Sequence, residues 1–273
     1  MDFNIKLSNG QVLKGIIKSP GEDLKAVIIL IHGLGEHIQR YDLWAELFNQ
    51  EGIGFTGVDL PGHGRSGGRR GSIKSYDLLR EMIDILLNSC KQTFPGVPIF
   101  MYGHSLGGGI VLDYLIRRNP VIKGAIITSP WLRLTFEPSK FKLVMASIMK
   151  NILPGLIQPS GLVVNHISHD EAVIERYKAD PLVHNKISVA LFVGAETSAS
   201  YSLTHGSELK VPTLLLHGRD DLITSPESSI EFAEQTDMVE IKLWDNGYHE
   251  LHNEIFKNEV FTYIASWIKK KLI

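Results

Sequence analysis

Short, almost wholly aliphatic runs alternate along the chain with longer segments in which apolar residues recur every three or four positions. Ala26-Val27-Ile28-Ile29-Leu30-Ile31 has no polar member, which predicts a central strand covered on both faces by helices. Ahead of it, residues 2–7 and 12–18 read as strands around Asn9-Gly10, a hairpin turn signal, with the first alternating as an edge strand does. Residues 41–50 carry Leu43, Trp44, Leu47 and Phe48 at helical spacing, expected on one buried face. A strand at 54–60, a loop rich in glycine and arginine at 61–71, and a helix at 75–93 follow. The apolar side of that helix includes Leu78, Leu79, Met82, Ile83, Leu86 and Leu87. Further runs at 97–102, 125–127, 213–216 and 239–243 predict four more strands. Phe256, Val260, Phe261, Ile264, Trp267 and Ile268 space a closing amphipathic helix. Strands alternating with helices in this way imply an α/β fold with a mostly parallel central sheet flanked by helices.

The stretch from Trp131 to Asn185 breaks the rhythm. Phe141, Leu143, Val144, Met145, Ile148, Met149, Ile152, Leu153, Leu156 and Ile157 crowd together there, interrupted by Lys142 and Lys150. Periodicity alone allows a helix packed on its own domain or a lid whose apolar face looks toward a ligand. Its place between sheet strands favours the lid, because insertions in open α/β sheets gather above the carboxyl ends of the strands. The expected division is a core of residues 1–130 and 186–273 with an inserted lid (cap) subdomain at 131–185.

Composition narrows the function classes. The 28 basic and 30 acidic residues leave a formal charge of -2, which implies no general attraction to nucleic acid. The first residues lack the basic start and apolar core of a signal peptide, and no 18-residue apolar run offers a membrane span. The single cysteine, Cys90, excludes an internal disulfide and a zinc site built of cysteines. The expected setting is cytoplasmic.

The chemistry enters at Gly103-His104-Ser105-Leu106-Gly107, between the apolar run 97–102 and a glycine-rich helical start. A strand that turns abruptly into a helix around a serine flanked by glycines is a nucleophile elbow. A serine hydroxyl needs a base, and the base a carboxylate, found after the later strands in the order Ser, Asp, His. His217-Gly218-Arg219-Asp220-Asp221 follows one late strand and offers two acids. Asp245-Asn246-Gly247-Tyr248-His249-Glu250-Leu251-His252 follows the last strand. There His249 is preferred because it lies earlier in the loop, and His252 is left as a capping or structural residue. The turn His32-Gly33-Leu34-Gly35 can present the amide of Leu34, and Leu106 heads the elbow helix, so these two backbone groups are the expected oxyanion donors. His32 with His37, or His249 with His252, lack the spacing and further donors of a metal site. No P-loop or dinucleotide fingerprint is present, so no cofactor and no metal are expected.

With these residues assembled, the chain resembles the monoacylglycerol lipase and lysophospholipase branch of the α/β-hydrolases, the serine aminopeptidase S33-like hydrolases. The likeness runs through His32-Gly33-Leu34-Gly35-Glu36-His37 and Tyr41, Asp59-Leu60-Pro61-Gly62-His63-Gly64-Arg65-Ser66, the elbow, Ser168-His169-Asp170, Tyr177-Lys178-Ala179-Asp180-Pro181, and Tyr248-His249-Glu250-Leu251-His252. The resemblance implies that Ser105 attacks an acyl ester, that Asp221 rather than Asp220 and His249 complete the triad, and that Leu34 and Leu106 donate to the oxyanion. It matches Glu36, Arg40 and Tyr177 to the polar end that holds glycerol. It further implies an apolar lid resting on a lipid surface, and a single-chain acyl ester lipid as substrate. Lysophospholipid hydrolysis is the nearest alternative, with Arg40 or the loop residues Arg65, Arg69 and Arg70 meeting a phosphate. Those loop arginines are equally expected to be structural, each paired with a carboxylate. A noncatalytic lipid-binding protein is the alternative from a different class, and Ser105 argues against dehalogenase or epoxide hydrolase chemistry, which needs an aspartate at the elbow.

Overall fold

A computed structural model of the chain describes residues 1–136 and 140–273, and the side chains of these except 140–144. In chain order the strands are β1 (Asp2–Lys6), β2 (Val12–Lys18), β3 (Ala26–Ile31), β4 (Ile53–Val58), β5 (Ile99–His104), β6 (Gly124–Thr128), β7 (Ile157–Pro159), β8 (Lys186–Ser188), β9 (Thr213–Gly218) and β10 (Val239–Trp244). The helices are α1 (Asp42–Gln50), α2 (Asp77–Thr93), α3 (Leu106–Arg118), α4 (Lys140–Ile152), α5 (Glu171–Ala179), α6 (Val189–His205), α7 (Pro226–Ala233) and α8 (Lys257–Leu272). One eight-stranded sheet has the order β1-β2-β4-β3-β5-β6-β9-β10. The β1–β2 hairpin joins antiparallel at one edge, and every pairing from β4 to β10 is parallel. This is the α/β-hydrolase architecture that the motifs imply.

The aliphatic run of β3 divides by parity, as a strand covered on both faces must. Val27, Ile29 and Ile31 enter one core with α2, α3 and α6, while Ala26, Ile28 and Leu30 enter a second with α1 and α8. All six side chains are fully buried, at about 1.5–3 kcal/mol for each of the larger ones relative to exposure. The stripe of α1 differs from expectation at one position. Tyr41, Trp44, Ala45 and Phe48 face the sheet at i, i+3, i+4 and i+7, and Leu43, one residue off that stripe, is exposed.

Between β6 and α6 the chain leaves the sheet. Here β7 pairs antiparallel with β8, from Ile157 opposite Ser188 to Pro159 opposite Lys186, so this small sheet uses residues beyond 185. On α4 and just after it, Met145, Ile148, Ile152, Leu153 and Leu156 are exposed. The side chains of Phe141, Leu143 and Val144 lie outside the described residues. Among the described residues no helix is long and apolar enough to cross a membrane.

Candidate active site

Ser105 stands between β5 and α3 with φ 54° and ψ -119°, a left-handed conformation that costs an L-residue free energy and survives only when its surroundings over-determine it. Three backbone bonds do so. Its amide donates to Thr128 O at 3.0 Å, and its carbonyl accepts from Gly109 N at 3.0 Å and Trp131 N at 2.9 Å. Gly107 permits the close approach: a Cβ there would lie 2.0 Å from the carbonyl oxygen of Ile31.

The two late loops bring their side chains to this serine. His249 Nε2 lies 2.9 Å from Ser105 Oγ, and His249 Nδ1 lies 2.7 Å from Asp221 Oδ2. Asp221 is buried and its neighbour Asp220 exposed, so the geometry separates the two acids that position alone left open. The amides of Ile223 and Thr224 donate to Asp221 Oδ1 at 2.8 and 3.1 Å. Burial pushes the Asp221 carboxyl up, but the charge of His249 and hydrogen bonds from His217 and His249 hold it well below the usual carboxylate range. For His249, burial pushes down while the charge and hydrogen bond of Asp221 push up harder, leaving the imidazole above its ordinary value. The line Asp221, His249, Ser105 can therefore move a proton off the hydroxyl and stabilise the cation that results.

Leu106 is the first residue of α3, where a backbone amide has no acceptor within its own helix. Leu34 borders both cavities that open at Ser105. The turn that carries Leu34 is fixed from behind: His32 Nε2 accepts from Leu60 N at 2.9 Å, its Nδ1 lies 2.9 Å from Gly33 O, and Glu36 accepts from Gly33 N. His184 N donates to Gly35 O at 2.8 Å and clasps the turn to the inserted segment.

The residues matched to a glycerol-holding end form an ionic cluster. Arg40 binds Glu250 with two nitrogens, each at 2.7 Å, and Glu36 Oε2 with one, also at 2.7 Å. Tyr41 Oη donates to the other oxygen of Glu36 at 2.9 Å, and the ring of Tyr177 covers the guanidinium, with 4.7 Å from Cζ to its centroid. Burial raises the Glu36 carboxyl, opposed by Arg40 and reinforced by the charge of Glu250. Glu250 is held low by its bidentate guanidinium, which outweighs its own burial. Glu36, Tyr177 and Glu250 line a small cavity beside Ser105 together with His104, His249, Leu162 and Ile167. A second cavity that shares Ser105 is apolar, bordered by Leu34, Trp131, Leu134, Phe136, Leu162 and Ile223.

Two of the loop arginines depart from the expected pairing with carboxylates, whereas His252 takes the structural place expected of it. Among the described residues Arg69 and Arg70 donate to backbone carbonyls, of Gly155 and Gly64, instead of to carboxylates; Arg65 does reach Asp2 at 3.1 Å. His37 pairs with Asp180 at 2.8 Å, and His252 stacks on Tyr41 with ring centroids 4.6 Å apart. Sequence reasoning assigned no role to Ser129, which donates from Oγ to His249 O at 2.8 Å, nor to Thr224 or His217, both within reach of Asp221 Oδ2. The signal for His217 was its place two residues before Arg219-Asp220-Asp221, in the same strand-end segment.

The chain as a whole is similar to known proteins. The chain is 36% identical over 251 residues, 90% of its length, to an uncharacterized abhydrolase domain-containing protein of Dictyostelium discoideum, of which it spans 26%. It is 31% identical over 240 residues to phospholipase YtpA of Bacillus subtilis, covering 86% of this chain and 92% of that protein. The crystal structure of Paleococcus ferrophilus monoacylglycerol lipase superposes with a TM-score of 0.88 at 32% identity, covering 95% of this chain and 99% of that one. Residues 22–255 match the family described as serine aminopeptidase, S33, a span that takes in the elbow and both late loops. With the fold, the hydroxyl–imidazole–carboxylate line and this match in agreement, the chain belongs to the serine aminopeptidase S33 family of α/β-hydrolases.

Proposed function

We propose that this protein is a serine hydrolase that cleaves the acyl ester of monoacylglycerols to fatty acid and glycerol. The observation that carries this is the unbroken line from Asp221 through His249 to Ser105, where a small cavity reached by Glu36, Glu250 and Tyr177 and a second, apolar one share the serine. His249 Nε2 takes the proton of Ser105 as Oγ attacks the ester carbon, and the amides of Leu34 and Leu106 receive the charge on the carbonyl oxygen. Collapse breaks the bond to glycerol, whose oxygen leaves with the proton held by His249. Water then attacks the acyl-serine, losing its proton to His249, and the fatty acid departs as Ser105 recovers its hydrogen. The acyl chain occupies the side bordered by Trp131, Leu134 and Phe136, at about 25 cal/mol per Å² of apolar area buried.

The leaving-group side favours a neutral alcohol. Glu36 and Glu250 set two carboxylates against the single guanidinium of Arg40, which is already engaged by both, so a phosphate placed there meets two acids and a guanidinium committed to them. Likeness to a phospholipase supports lysophospholipid hydrolysis as the second reading. Side-by-side turnover decides between them. Monoacylglycerol is expected to exceed lysophosphatidylcholine of equal chain by more than about tenfold in kcat/KM, a modest 1.4 kcal/mol of head discrimination. Equal or faster lysolipid cleavage would assign the pocket to a phosphate head.

The exposed apolar side chains of α4 and the turn after it supply a face for a lipid surface. The double variant Ile148→Glu with Ile152→Glu is expected to weaken binding to phosphatidylcholine vesicles in a sedimentation assay by roughly tenfold or more. Its hydrolysis of a water-soluble short-chain ester should stay within about twofold. Undiminished vesicle binding would free this face of that role.

A further inference from the structure

Beyond the three residues that pass the proton stands a second imidazole. His217, the fifth residue of β9, is completely buried, and its Nε2 lies 3.0 Å from the same Asp221 oxygen that receives His249. Its hydrogen can be located from its neighbours. Nε2 faces two acceptors, Asp221 Oδ2 and the carbonyl oxygen of Thr224 at 3.2 Å, so Nε2 carries the proton. Nδ1 is then the bare nitrogen, and it lies 2.7 Å from Ser229 Oγ on α7, whose hydroxyl donates to it. Ser229 thus sets the tautomer that aims a donor at Asp221.

The consequence is electrostatic as well as geometric. Asp221 Oδ2 receives His249 Nδ1 at 2.7 Å, His217 Nε2 at 3.0 Å and Thr224 Oγ1 at 3.0 Å, while Oδ1 holds two backbone amides. The carboxylate has no freedom to rotate. Each added donor also draws on the negative charge that stabilises the His249 cation, and a weaker counter-charge gives a less basic imidazole.

We propose that His217 is a positioning residue, locked by Ser229, that orients Asp221 and restrains the basicity of His249. This rests on His249 being the general base of the proposed hydrolysis. The restraint limits how far the carboxylate raises a base buried beside it, so that a larger share of His249 is neutral, hence able to accept a proton, as pH falls from neutrality. The other groups facing His249 are Ser105 and Thr224, His104 from β5, His252 and Glu250 on its own loop, and Glu36 from the turn after β3. Around His217 they are Asp221, Thr224 and Ser229, with Glu227 of α7 the next carboxylate along that helix. The variants below leave all but Ser229 in place.

The test compares His217→Leu with His217→Gln, whose side-chain amide can still donate to Asp221. In His217→Leu the acidic limb of kcat/KM is expected to move up by about one pH unit, a loss of about tenfold at pH 6, with the alkaline plateau within about threefold. His217→Gln should hold the limb near that of the wild type. Proton NMR of the low-field Nδ1 hydrogen of His249 should titrate with the same displacement, and this readout needs no turnover. Wild-type protein that fails to hydrolyse monoacylglycerol or to react with a fluorophosphonate would overturn the proposed function, while the NMR titration still judges His217. An unmoved titration in His217→Leu, or an equal loss at every pH in both variants, would overturn the role of His217. Should His217→Leu not fold, Ser229→Ala decides by the same titration: a smaller upward displacement supports the lock, and none refutes it.

Discussion

Replacing Ser105 by alanine is expected to lower kcat for monoacylglycerol by roughly 10⁶-fold and to abolish labelling by a fluorophosphonate, with circular dichroism and thermal midpoint close to wild type. The size follows from the geometry. Ser105 Oγ is the atom 2.9 Å from His249 Nε2, and alanine leaves the imidazole with no hydroxyl to deprotonate. The backbone bonds from Thr128, Gly109 and Trp131 that hold residue 105 do not involve its side chain, so the fold is spared. Asp221→Asn is the companion: an amide in place of the carboxylate presents a donor to the wrong nitrogen, with a loss on the order of 10⁴-fold. Retention of activity within tenfold in the Ser105 variant would place the nucleophile elsewhere in the protein.

Arg40→Leu is expected to have the largest effect on stability, about 3–5 kcal/mol in urea unfolding near neutral pH. The side chain of Arg40 is 9% exposed and those of Glu36 and Glu250 are 3% and 4% exposed, so removing the guanidinium strands two carboxylates that water cannot reach. The pH dependence has a definite sign. In the wild type Glu250 has a depressed carboxyl, which contributes stability above the unfolded value and loses it as pH falls through the folded one. Without Arg40 both carboxyls are raised by burial and by each other. The penalty is then full at neutral pH and shrinks on acidification, as each binds a proton in the folded state before the unfolded chain does. Urea midpoints of variant and wild type should therefore converge between pH 7 and pH 5. A deficit that stays constant over that range would mean that lost packing of the Arg40 stem dominates the cost.

The parts of this fold legible in the sequence are those whose partners are dictated locally or by parity. The run 26–31 announces a strand covered on both sides, and Gly103 to Gly107 announces a strained turn, because each pattern has few other physical solutions. Helix α6 was not foreseen: its buried side includes Ala195, Ser198, Ala199 and Ser202, small residues that give no apolar stripe, and Gly194 admits Tyr76 against the backbone. The charged groups of the site were legible only as residue types. Arg40 finds Glu250 from 210 positions away, and nothing near either one in the chain distinguishes a guanidinium committed to two carboxylates from one free for a ligand. For the same reason Arg69 and Arg70 gave no sign that they would settle on carbonyl oxygens.

The parallel register of β9 with β10 has a consequence for how the protein comes into being. A nascent chain emerges with the elbow long before the loop that follows Trp244, and β10 holds the sheet edge beside β9, so that loop is among the later parts to be placed. Until that last strand is seated, a folded amino-terminal portion carries a serine with no imidazole to awaken it. Ester cleavage is thus expected to be withheld during synthesis until the loop that carries His249 is in place beside Ser105.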